Sequence, residues 1–211
     1  MEERIVFELI EFYTVKLGEA LLHIQSGGRV RLPKFFSDRR TDEEYIYDLL
    51  DGWLVEDIIY KGWLPSRLKK AFPNVQISLT GTDKDRVIEL ENPSKITTEP
   101  DFSYSVSTGF RRIELQMART ERDSFDMKES KINRALREGN VIYMWIIIPT
   151  DQYFLLDPKV FEGKQPISNP AWGGKKVFRI SRSEVEELGV GLFSLREELP
   201  VNALKVLGAL R

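Results

Sequence analysis

Apolar residues fall at helical spacing from the start of the chain: Val6, Leu9, Ile10, Tyr13, Leu17, Leu21 and Ile24. Steps of three and four predict an amphipathic helix of about five turns, closed by Gly27-Gly28. A second helix is expected from Asp42, with Thr41 as its cap and acidic residues in its first turn. A short third helix follows Pro65, a residue suited to a first helical position. The period then changes. Val75 to Thr80 and Arg86 to Glu91 read as strands around a turn from Gly81 to Asp85, and Arg112 to Ala118 reads as a third strand. Asp123 to Glu138 predicts a helix with Phe125, Ile132 and Leu136 as its buried stripe and Gly139 just past its end. Val141 to Ile148 is a continuous apolar run stopped by Pro149, as in a strand buried on both faces. Gln152 to Leu156 and Lys176 to Ile180 add two strands, Ser183 to Leu188 opens a helix, and Val201 to Leu210 is an apolar closing segment.

The order strand, strand, strand, helix, buried strand after a helical beginning predicts an α/β (α+β) fold. Its centre is a mixed sheet with a right-handed crossover, flanked by helices. Residues 1–72 form the helical amino-terminal portion, 75–148 the core, and 149–211 the strands and helices that complete it. With no internal repeat or low-complexity tract, one domain over residues 1–211 is expected.

Composition narrows the class. Lys and Arg total 31 against 33 Asp and Glu, so the molecule is not basic throughout, and a nucleic acid would have to be met by local segregation of charge. That segregation is visible. Ser26 to Arg40 holds Arg29, Arg31, Lys34, Arg39 and Arg40 against Asp38 alone. Thr41 to Tyr60 carries seven acids and no Lys or Arg, and Lys61 to Lys70 is basic again. Taken alone, such blocks are better accounted for by an ordinary solvated surface. The chain has no cysteine, which removes disulfides and thiolate metal sites. No apolar run approaches the ~18 residues of a membrane span, and the start Met1-Glu2-Glu3-Arg4 lacks a signal-peptide pattern. A cytoplasmic protein is expected.

The chemistry concentrates in Pro100-Asp101, followed after twelve residues by Glu114-Leu115-Gln116. Proline restrains the chain at a strand start. Glu114 and Gln116, two apart, share one face of a strand, while Ile113, Leu115 and Met117 take the other. Two carboxylates brought together there are hard oxygen ligands for a divalent metal. Such a metal polarises a phosphate and activates water. The alternative is that Glu114 and Gln116 form the solvent face of an edge strand.

The segment from about Val75 to Ile148 resembles the PD-(D/E)XK nuclease superfamily, with Gln116 at the place of the usual lysine. The resemblance implies a restriction-endonuclease-like core and a metal-dependent DNA endonuclease, structure-selective in the manner of the archaeal Holliday-junction resolvases. It makes Asp101 and Glu114 the ligands of Mg²⁺ or Mn²⁺. It also implies DNA as partner, a homodimer, and no organic cofactor. The chain as a whole also resembles small proteins of spindle-shaped viruses of hyperthermophilic archaea, in which case the host cytoplasm is its compartment.

An amide at position 116 can orient water but cannot stabilise a phosphorane as an ammonium does. The family often recruits a lysine from elsewhere, and Lys128, beside the apolar stripe of the following helix, is the expected substitute. Lys131 and Arg134 follow at three-residue spacing and are expected on a phosphate backbone, with Arg29 and Arg31 holding the flanking duplex. Glu8, Glu11, Glu19 and Glu44 are candidates for the helix acid that many members use, although helical phase turns the first three to solvent. His23 and the scattered Trp53, Trp63, Trp145 and Trp172 suit structural roles. Two other classes stay open. One is a nuclease fold without catalysis that binds DNA or assembles virions. The other is a host-directed interaction factor, hinted at only by the acidic stretch from Asp42 to Asp57.

Overall fold

The structure, a computed structural model, describes residues 3–30, 40–81, 84–88, 99–107 and 109–210. Helix α1 (Glu3–Gln25) buries Val6, Leu9 and Tyr13 of the predicted stripe together with Ala20, while Ile10 of that stripe stays exposed. Helix α2 (Asp42–Ile58) starts in a capping box: Thr41 accepts from Glu44 N–H, and the Glu44 carboxylate accepts from Thr41 N–H. Two orphan donors are satisfied reciprocally, which is why the helix begins there. It then widens into a π-helical turn, Ile59–Trp63, and continues as α3 (Leu64–Ala71). Pro65 lies in the first turn of α3, where its missing N–H breaks the regular ladder without ending the rod.

Six strands form the main sheet in the order β1 (Gln76–Leu79), β2 (Phe102–Val106), β3 (Gly109–Ala118), β5 (Val141–Ile147), β6 (Gln152–Leu156), β9 (Phe193–Ser194). β3 and β5 are parallel and the other neighbours antiparallel. A second sheet runs β4 (Ser124–Lys128), β8 (Lys175–Ser181), β7 (Ile167–Asn169). Helix α4 (Glu129–Glu138) precedes β5; α5 (Arg182–Glu187) and α6 (Val201–Ala209) complete the chain. The arrangement is a mixed α/β fold. Among the described residues no helix is long and apolar enough to cross a membrane.

Two apolar layers cover the main sheet. Ile113, Leu115, Met144 and Ile146 meet α1, α2, α3 and α6, while Tyr143, Trp145 and Ile147 meet α4 and the second sheet. β5 is therefore buried on both faces, as its unbroken apolar run predicts.

Three expectations are corrected. β1 pairs with β2, which comes later in the chain than the turn expected at Gly81 to Asp85: Ile77 faces Tyr104, and the Ser78 and Ser103 hydroxyls hydrogen-bond at 2.8 Å. Arg86 has φ 52°, outside the extended region, and Arg86 to Ile88 are not strand; Glu91 lies outside the described residues. Finally, the helix expected from Asp123 begins only at Glu129. Phe125 and Met127 alternate with Asp126 and Lys128 and pair with Ile180 and Phe178 of β8, so period two wins over the helical reading. Phe125 belongs to the second apolar layer, beside Trp145 and Phe154, and not to an α4 stripe.

Candidate active site

The β2–β3 pair positions the two acids. Thr80 N–H donates to the Asp101 carbonyl at 2.9 Å, extending the β1–β2 ladder up to Asp101. Phe102 faces Ile113, and one step beyond that register puts Asp101 opposite Glu114. The Asp101 carboxylate is tied to β3 as well, because Oδ2 accepts the Leu115 N–H at 2.7 Å. Leu115 turns its own side chain into the first apolar layer, so Glu114 and Gln116 face the other way, toward α4.

Glu114 is only 1 % exposed. A bare carboxylate at that depth would be strongly unfavourable. Two donors meet its Oε1: the Lys131 ammonium, in an ion pair, and Gln116 Nε2 at 2.9 Å. Burial first, and the Asp101 charge second, push the Glu114 pKa well above the carboxylate range, against the pull of Lys131 and Gln116. For Lys131, burial alone would lower the pKa. Glu114, then Asp101 and Glu56, outweigh it and hold the ammonium charged. Tyr143 is the parallel-strand neighbour of Glu114; burial, then the charges of Glu114 and Asp101, raise its pKa. Pro100, Glu114, Lys131, Arg134 and Tyr143 line a small cleft at this point.

The structure thus brings together Asp101, Glu114, Gln116, Lys131 and Arg134. Lys128 stands apart from the carboxylate pairing: it is the exposed last residue of β4 and the N-cap of α4. Lys131, one turn further, makes the contact for which Lys128 was expected, because the helix starts later than the apolar spacing suggested. Arg134 Nε donates to Glu138 at 2.5 Å, and Glu138 also accepts from Arg112 at 2.7 Å. Arg29 is exposed after α1, and Arg31 lies outside the described residues. Glu8, Glu11 and Glu19 are exposed, and Glu44 is spent on its capping box.

Two neighbours escaped sequence reasoning. Glu56, on α2, acts on Lys131 through its charge and accepts from Arg86 Nη1 at 2.6 Å. Tyr143 reads as one more apolar position of β5. Neither has a spacing signal, since only the packing of α2 and β5 against the site reveals them.

The donor set suits a hard cation. Two opposed carboxylates, with the Gln116 amide on the same face as Glu114, are hard oxygen donors of the kind a divalent cation takes. Among the described residues no group of three or more His, Cys, Asp or Glu gathers around a common point.

No protein-family model matches the chain. No curated protein matches it either. Among solved structures it is similar to Hjc, a Holliday junction resolvase from the archaeal hyperthermophile Archaeoglobus fulgidus. The match is at 12% identity with a TM-score of 0.39, and covers 65% of this chain and 95% of that one. A likeness of that strength does not carry function from one protein to the other.

Proposed function

We propose that the chain is a metal-dependent DNA endonuclease that hydrolyses phosphodiester bonds, structure-selective and acting as a homodimer. The observation that carries the reading is the opposition of Asp101 and Glu114 across β2 and β3, with the Lys131 ammonium on the buried Glu114 carboxylate. Asp101 and Glu114 would hold Mg²⁺ or Mn²⁺, which supplies polarisation of the scissile phosphate and a water of lowered pKa.

The chain's own residues do the rest. Gln116, hydrogen-bonded to Glu114 through its Nε2, has its amide oxygen left to orient a water. Lys131 brings a permanent cation to the place where negative charge grows on the phosphate, the role an ammonium at position 116 would otherwise play. Arg134, which lines the cleft, would meet a flanking phosphate. Pro100 and Tyr143 wall the cleft and limit its water.

One observation favours a second reading, a nuclease fold that binds DNA without cutting it: position 116, where the resemblance puts a lysine, holds the uncharged amide of Gln116. The two readings part in a cleavage assay with Mg²⁺ or Mn²⁺ on plasmid, single strand, linear duplex, flap and four-way junction. Cutting by the wild type that vanishes in Asp101→Asn supports the nuclease. Wild-type silence with cleavage gained by Gln116→Lys supports the binding module.

A further inference from the structure

The face of the second sheet opposite Phe125 and Met127 carries two lysines that no acid of the sheet pairs. Lys128 faces Val177 in the β4–β8 register, and Lys175 lies two residues before Val177 on the same face. The acid on this face of β4, Asp126, is already committed. Arg179 donates to both its oxygens at 2.6 and 2.7 Å, and Asn169 Nδ2 donates to Oδ2 at 2.7 Å. Among the described residues, neither the Lys128 nor the Lys175 ammonium has an ion pair or hydrogen bond.

Their setting makes that imbalance costly. Lys128 is the N-cap of α4, and a cation there opposes the positive pole of the helix. Lys131 follows after about 4.5 Å of helix rise. Loss of solvent, then repulsion by Lys131 and Lys175, holds the Lys128 pKa below the usual lysine value, against the opposing pull of Glu114 and with Arg40 adding to the effect. Like charges from β4, β8 and α4 crowd together only at a price in electrostatic energy unless an anion joins them.

The hairpin that carries Lys175 is built to be stiff. Its turn is fastened by Asn169 Oδ1 accepting Ala171 N–H at 2.9 Å and by Ser168 Oγ donating to the Gly174 carbonyl at 3.1 Å. Gly173 and Gly174 take φ of 66° and 78°, which a side chain would strain, and they lead directly into exposed Lys175 and Lys176.

We propose that the β7–β8 hairpin is a nucleic-acid arm, in which Lys175 and Lys128 each grip a backbone phosphate of the DNA strand that occupies the Asp101–Glu114 cleft. The choice of DNA as the polyanion rests on the nuclease reading; the grip rests on the charge arrangement. Lys131 bridges the two regions, since it follows Lys128 on α4 and reaches Glu114.

The test is binding of labelled single-stranded and duplex DNA by fluorescence anisotropy in EDTA across a salt series, alongside Mn²⁺-dependent cleavage. The proteins are wild type, Lys128→Ala/Lys175→Ala, Lys128→Ala/Lys175→Arg, and Lys205→Ala. Lys205 is an exposed residue of α6 on the other side of the main sheet. The double alanine variant is expected to bind about tenfold or more weakly, with a slope of log affinity against log salt reduced by about 2. Arginine at 175 should recover about half that slope change, and Lys205→Ala should match wild type. Wild-type affinity and slope in the double alanine variant, or no binding of DNA by wild type, overturns the proposal. Binding that depends on these lysines without any cleavage keeps the grip and removes the nuclease reading. Cleavage with binding indifferent to them does the reverse.

Discussion

Lys131 on α4 and Glu114 on β3 form an ion pair in which the carboxylate is almost wholly withdrawn from water. The position two residues after Glu114, where the resemblance puts a lysine, holds Gln116 instead, and Gln116 donates to the same carboxylate oxygen as Lys131. The cation at this carboxylate therefore comes from the helix instead of the strand. Both side chains contact Glu114, and their roles divide between neutralising it and orienting it.

Removing that cation should unfold more than it disables. Lys131→Ala leaves a buried carboxylate unpaired, which costs about 3–5 kcal/mol if the group stays charged. The denaturation midpoint should fall well below wild type at pH 8, and Glu114→Gln in the same chain should recover most of the loss. A double variant no more stable than Lys131→Ala alone would show that the pair carries little of the stability.

Stability should also depend on pH through Glu114. Its folded pKa is raised from the model-compound value of 4.5 to about 8, so the folded state holds the proton more tightly than the unfolded chain. The favourable contribution is complete below about pH 4.5 and is lost as pH rises toward 8. In Glu114→Gln that loss should disappear, leaving a flatter stability profile from pH 5 to 8 in urea denaturation. Identical profiles for wild type and variant would refute the assignment. Because a metal competes with the same proton, Mn²⁺ affinity should climb over the same interval.

Asp101 has two separable tasks. As an acceptor for Leu115 N–H it ties β2 to β3, and as a carboxylate it would hold metal. Asp101→Asn keeps an acceptor, so the fold should stay near wild-type stability while Mn²⁺ binding by calorimetry is lost and cleavage drops about 10²-fold or more. Asp101→Ala should lose a further 1–3 kcal/mol or so of stability by leaving the Leu115 N–H unpaired. Wild-type cleavage rates in Asp101→Asn would end the metal-site assignment.

Arg86 anchors the segment before β2. It donates to Asp57 Oδ1 at 2.7 and 3.1 Å and to Glu56 Oε2 at 2.6 Å, while Asp57 Oδ2 accepts the Tyr13 hydroxyl at 2.9 Å. Burial would lower the Arg86 pKa, but Glu56 and Asp57 raise it, so the guanidinium stays charged in the interior. Arg86→Met should therefore cost about 3–5 kcal/mol, and Tyr13→Phe only about 1 kcal/mol. Denaturant titrations of the two variants test the order, and equal losses would contradict it.

Much of this was readable in the order of residues. The stripe from Val6 to Ile24, Thr41 before Asp42, Gly139 after Glu138 and the run from Val141 are local signals, each answered by a helix face, a capping box, a left-handed cap and a doubly buried strand. The proximity of Asp101 and Glu114 was legible too, since a strand start and an alternating strand joined by a short connection favour pairing. Phe125 misled because it stands seven residues, about two helical turns, before Ile132 and also two residues before Met127, so it suits either period, and only pairing with β8 decides for the strand. Arg86 misled because its conformation is imposed by Glu56 and Asp57, about thirty residues away.

Sequence alone therefore determined the α/β class, most element positions and the pair of acids at the head of β2 and within β3, because propensity, capping and alternation act over a few residues. Tertiary structure decided which lysine meets Glu114, that Glu56 and Tyr143 stand beside it, and that Lys128 and Lys175 crowd together on the second sheet. Those outcomes depend on where α4 begins, how β4 registers on β8 and how α2 packs over the sheet. Charges separated along the chain interact only once packing has removed the water between them.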